Sequence, residues 1–179
     1  MKQPRALGLI VLGALLAGCA GQVAFTSGPF RGRVIDAQTR QPLAGAAVVA
    51  VWYWEGWGPG HPSERWHDAI EVVTGQDGEF VLPRKTFFSL SGVVGEPLIT
   101  IYYPGYKDFL GGRTLAVPET GPVEPKLVEL VSASSPERPR YAGIPAEIGG
   151  VPDAKIPNLI RLVNQERRAL GLGPIRVKE

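Results

Sequence analysis

Between Phe30 and Leu130 short apolar runs alternate with clusters of Gly, Pro and Asp, a rhythm that predicts strands joined by turns. Phe30 to Ile35 reads as the first strand. A polar turn from Asp36 to Gly45 leads into residues 46–54, an almost uninterrupted apolar run of the kind found when both faces of a strand are covered or one is capped by a loop, and it is expected to be the central strand. Residues 69–74 and 79–82 flank Gly75-Gln76-Asp77-Gly78, and the Asp-Gly pair predicts a tight hairpin between two paired strands. Residues 98–103, ended by Pro104-Gly105, and residues 126–130 complete the series. Between Glu55 and Asp68 the pattern breaks on Gly56, Gly58, Pro59, Gly60 and Pro62, which predicts a long surface loop. Strands and turns at this spacing indicate an all-β fold, a β-sandwich.

After Leu130 the chain turns rich in Ser and Pro and reads as a linker or a strap against the sheet. A helix follows. Pro157 suits a first turn, Ile156, Leu159, Ile160, Val163 and Leu170 recur at helical spacing, and Arg167 and Arg168 precede Gly171 at the negative end of the helix dipole. Amphipathic helices usually face their own core, so this one is expected to pack on the strands, against the alternative that its apolar face binds a partner.

Composition changes the picture little. Gly (23) and Pro (17) are abundant without a period and apolar residues reach 44%, which suits a turn-rich β domain better than disorder. The formal charge is +2, and Lys2 and Arg5 supply it; the balanced remainder offers no electrostatic footprint for nucleic acid. Cys19 is the only cysteine, so neither an internal disulfide nor a cysteine-based metal site can form.

The N-terminus explains that cysteine. Lys2 and Arg5 form a positive n-region, residues 6–16 an apolar h-region too short for a stable span, and Ala17 and Gly18 lead into Cys19. Leu16-Ala17-Gly18-Cys19 resembles the lipobox of bacterial lipoproteins. The resemblance implies cleavage after Gly18 and lipidation of Cys19, with the membrane as partner through several acyl chains. Ala20 rather than Asp after that cysteine implies the outer membrane, facing the periplasm or the surface. The expected division is a signal peptide at 1–18, a lipidated tether at 19–29, a β-sandwich at 30–131, and a Pro-rich linker with a C-terminal amphipathic helix at 132–179.

The β module resembles the carboxypeptidase regulatory-like domains, which share the transthyretin-like (prealbumin-like) seven-stranded β-sandwich. The resemblance rests on Gly32-Arg33-Val34-Ile35-Asp36, Thr39, Pro42-Leu43, Gly45-Ala46, Val48, Thr74, Asp77-Gly78, Phe80 and Pro104-Gly105-Tyr106. It implies a non-enzymatic binding or scaffolding module. The motif itself is turn and core chemistry: Asp36 caps a turn, Pro42 fixes φ, Gly45 and Gly78 take conformations other residues resist, and Phe80 fills the core. Nothing matches the catalytic zinc domain that such modules accompany, nor the C-terminal Tyr-Arg-Gly-Ser signature of the hydroxyisourate hydrolases that share the architecture.

Candidate chemistry gathers between Trp52 and Trp66–His67, which holds all four tryptophans and both histidines. His61, Glu64 and His67 offer two imidazoles and a carboxylate in ligand types that suit zinc, against the alternative of an ordinary loop with no cofactor. Trp57 and Trp66 offer flat faces for a glycan or for a side chain of an envelope protein, against the alternative that they fold back over the core. Glu55, Glu64, Asp68 and Glu71 are the carboxylates nearest this stretch, and as acid/base candidates they compete with simple solvation. No nucleophile elbow or phosphate loop occurs. A purely structural spacer is the remaining reading.

Overall fold

The computed structural model describes residues 24–56, 63–88, 93–110 and 126–175. Among these, strand dominates and helix is scarce. In chain order the strands are β1 (Ala24–Ser27), β2 (Phe30–Asp36), β3 (Ala47–Gly56), β4 (Ser63–Val73), β5 (Glu79–Leu82), β6 (Lys85–Phe88), β7 (Val93–Val94), β8 (Leu98–Tyr102), β9 (Phe109–Leu110) and β10 (Lys126–Leu130). Two helices follow, the short α1 (Arg138–Tyr141) and α2 (Pro157–Ala169), with 3-10 turns at Ala146–Ile148 and Asp153–Lys155 between them.

The strands form a three-stranded sheet, β10-β2-β5, a larger sheet, β4-β3-β8-β9 with β7 also on β3, and a ribbon of β1 with β6. β10 runs parallel to β2, with Leu130 opposite Asp36, whereas β5 is antiparallel to it. β3 is central, as its composition predicts. Val48, Ala50 and Trp52 point into a core shared with Val34, Phe80, Leu82, Val128 and Leu130 of the smaller sheet and Phe87 of the ribbon. Ala47, Val49 and Val51 point the other way, toward Leu159, Leu162 and Val163 of α2. Period-2 alternation with apolar cover on both faces is the physical reason for the continuous run.

Three expectations need correction. The tract at 75–78 is a tight turn, with the Gly75 amide donating to the Glu79 carbonyl (2.8 Å) and the Glu79 amide to Asp77 Oδ1 (3.0 Å). It does not close a hairpin: β4 belongs to the larger sheet and β5 to the smaller, so the turn is a corner between sheets. Thr74 anchors its near side, donating to the Leu43 carbonyl (2.6 Å) while accepting from the Ala46 amide (2.9 Å). On its far side the Val34 amide donates to the Gly78 carbonyl (2.9 Å). Gly78 sits at φ +78°, and a Cβ there would lie 2.4 Å from the Val34 carbonyl oxygen. Gly32 meets a similar limit, since a Cβ would lie 2.6 Å from the ring of its cross-strand neighbour Phe80. The motif glycines therefore let two chains and an aromatic ring approach closely.

Second, part of the expected tether is structured, because Ala24–Ser27 pairs with β6. Phe25 packs against the core beside its register partner Phe87. Third, the expected loop from Glu55 to Asp68 is mostly strand: β3 and β4 pair out to Gly56 and Ser63, a ladder of backbone hydrogen bonds that overrides local Gly content.

The C-terminal segment is a strap capped by a helix. Ala142, Ile148, Val151 and Ile156 are buried along it, and α2 lays Leu159, Ile160, Leu162 and Val163 on the larger sheet. Burial of such side chains is worth up to about 1.5–3 kcal/mol each. Pro157 occupies the first turn and Gly171, at φ +70°, follows the helix C-terminus. No side chain at the helix start caps it; Glu71 of β4 does so instead. Its carboxylate accepts the amides of Asn158 (2.8 Å) and Leu159 (2.6 Å) and the Asn158 side-chain amide (3.0 Å), placing negative charge at the positive end of the dipole.

Candidate functional site

The Asp36 corner shows what the recognisable motif does. Asp36 Oδ1 accepts the amides of Gln38 (2.8 Å) and Thr39 (2.6 Å) and the Thr39 hydroxyl (3.1 Å), while Oδ2 accepts the Tyr106 hydroxyl (2.6 Å). These bonds, that from the Thr39 amide foremost and that from Tyr106 next, hold the Asp36 carboxyl down at about 2. Burial, with Asp36 second, pushes the Tyr106 hydroxyl up to about 12. Gly105, at φ +85°, turns the chain into this contact.

The aromatic stretch is split by the register of β4. Pairing shifts between Trp52, opposite Asp68, and Tyr53, opposite Trp66, leaving His67 as the extra residue of a bulge. As a result neighbours in sequence face different surroundings. The His67 ring lies edge-on to Trp54 (5.9 Å) and Phe87 (5.2 Å), and Phe87 leans on Trp52 (5.3 Å). Trp66 instead packs half-buried against the cluster under α2, beside Tyr53 and Ile144. The platform expected of Trp66 is thus turned onto the protein's own outer cluster.

Lys85 edges the His67 side. Its ammonium stands 5.7 Å from the centre of the Trp52 ring and 5.6 Å from that of Phe87, and it pairs with Asp68. Asp68 also accepts from Lys155 (3.0 Å). Burial pushes the Asp68 carboxyl up, but the bonds from Lys85 and Lys155 outweigh it and leave the group below its ordinary value. With Asp68 held by two ammonium groups and Glu71 by helix amides, neither is placed to shuttle a proton.

Of the candidate metal ligands, Glu64 lies on β4 opposite Glu55 and His67 at the bulge. His61, Trp57, Cys19 and the whole leader at 1–18 lie outside the described residues. Among the described residues no group of three His, Cys, Asp or Glu side chains is gathered as for a metal ion, and no helix is long and apolar enough to cross a membrane.

A second polar group sits between the larger sheet and the strap, and no sequence motif announced it. Glu166 of α2, 3% exposed, is gripped by Arg138 of α1 through two bonds of 2.8 and 2.7 Å. Nearby, the Tyr102 hydroxyl and one oxygen of Asp108 are buried without a hydrogen-bond partner. Burial, followed by the charge of Glu147, pushes the Asp108 carboxyl up to about 6; burial, followed by Glu166, also pushes the Tyr102 hydroxyl up. The only sequence hint was a carboxylate inside an amphipathic helix, on the face that carries Leu159 and Val163.

Neither the protein-family models nor the curated proteins compared with this chain gave a match.

Proposed function

We propose that this chain is a lipid-anchored protein of the bacterial cell envelope, held at the outer membrane through Cys19. Its prealbumin-like, carboxypeptidase regulatory-like sandwich serves as a non-enzymatic binding or scaffolding module. The observation that carries it is the bond between Asp36 and Tyr106. Two pieces of the family motif, far apart in sequence, meet there as one corner, and the corner's hydrogen bonds are spent on holding turns rather than on aiming a group outward. The anchor rests on Leu16-Ala17-Gly18-Cys19.

The test is expression of the full chain in a Gram-negative host with intact-mass measurement and membrane fractionation. Residues 1–18 should be absent from the mature protein and acyl mass present on Cys19. Cys19→Ala should abolish both the acyl mass and membrane retention. Retention unchanged in that variant would overturn the anchor.

A further inference from the structure

We infer that the outward face of the β1–β6 ribbon, led by Phe88, rests on the lipid surface to which Cys19 is attached. This rests on the anchor reading and deepens it by giving the domain an orientation. Among the described residues Phe88 is the most exposed of the large apolar side chains, at 76%. It is the register partner of Ala24, so it lies at the end of the ribbon where the chain enters the domain.

The length of chain decides the occupant. Five peptide steps separate Cys19 from Ala24, and even fully extended they reach no more than about 18 Å. An acylated Cys19 therefore holds that end of the ribbon within one short tether of the headgroups. Confinement of that kind raises the effective concentration of a contact into the millimolar range, so one weak aromatic contact suffices without a large apolar patch. Phenylalanine at the headgroup boundary is a favourable partner for lipid.

The remaining side chains agree with this placement. Phe25 and Phe87 point inward to the core, while Thr26 and Thr86, joined by a 3.1 Å hydrogen bond, are exposed beside Phe88. Arg84 is also exposed, with its guanidinium held on the Gly28 carbonyl (3.3 Å), and it adds a cation for anionic headgroups. No carboxylate lies on β1 or β6 to oppose them.

The test uses the mature acylated protein, obtained by expressing the full chain, in vesicles of phosphatidylethanolamine and phosphatidylglycerol. Thr86→Cys supplies a single free thiol for a nitroxide, and Gln165→Cys, exposed on α2, supplies the reference. The label at 86 should be several-fold less accessible than that at 165 to a water-soluble nickel chelate, and more accessible to oxygen. Adding Phe88→Ser should restore chelate access at 86. Equal access at both positions, with acyl mass present on Cys19, would overturn the orientation and leave the anchor standing; absent acyl mass would remove both. Shielding at 86 that persists in soluble Cys19→Ala protein and rises with its concentration would assign the face to a second copy instead, and would also overturn the inference.

Discussion

The two faces of β3 are covered in different ways. The inner face, with Val48, Ala50 and Trp52, meets aliphatic and aromatic side chains from the smaller sheet and the ribbon. The outer face also meets hydrocarbon, from Leu159, Leu162 and Val163, but its roof is tied down by charge: Glu71 at the start of α2 and Glu166 with Arg138 near its end. The inner layer should respond to lost volume and hardly to pH. The outer layer should respond to lost partners and to protonation, because buried charge is tolerated only while paired.

The largest effect that tests this contrast is Trp52→Ala. Trp52 is fully buried, so truncation should cost about 3–5 kcal/mol in urea unfolding; a loss as small as that of a surface substitution would break the picture of the inner core. Next comes Arg138→Met, which leaves the Glu166 carboxylate buried without its partner. Because Arg138 itself is partly exposed, the loss should be smaller than that of Trp52→Ala, and Glu166→Gln in the same background should recover part of it. Glu71→Gln is smaller, about 1–2 kcal/mol. Its signature is local, with faster amide hydrogen exchange at Asn158 and Leu159 and unchanged exchange in β2.

The finest test is pH. The Asp108 carboxyl is raised to about 6 in the folded chain, above its unfolded value near 4, so the folded state binds the proton more tightly. Stability should therefore fall as pH rises from about 4 to about 6 and stay level above. Asp108→Asn should flatten that limb. Asp36 works in the opposite sense: its carboxyl is held down at about 2, so its contribution is present above pH 4 and is lost as pH falls through 2. Asp36→Asn should remove that acid limb and leave the Asp108 limb unchanged. Circular dichroism melts from pH 2 to 8 measure both.

Local chemistry is legible in a one-dimensional chain. Asp36 as a turn cap, positive φ at Gly45 and Gly78, Phe80 in the core and a helix from Pro157 all follow from residues a few positions apart. The candidate site was less legible. One inserted residue at the β4 bulge sends His67 toward Phe87 and Trp66 toward α2, and no spacing rule announces a bulge. Glu71 looked like one more carboxylate beside a loop, yet it caps a helix 87 residues away in sequence.

Alternation, turn residues and helical periodicity thus determine which stretches become strand, turn or helix and which side chains turn inward, because sterics and side-chain spacing act over a few residues. Which sheet a strand joins was decided by tertiary structure, as when the Val34 amide donates to the Gly78 carbonyl and β5 joins β2 rather than β4. The same holds for Asp36 meeting Tyr106 and Glu71 meeting α2. Such pairings satisfy buried polar groups with partners from distant parts of the chain, and they exist only once the layers have packed.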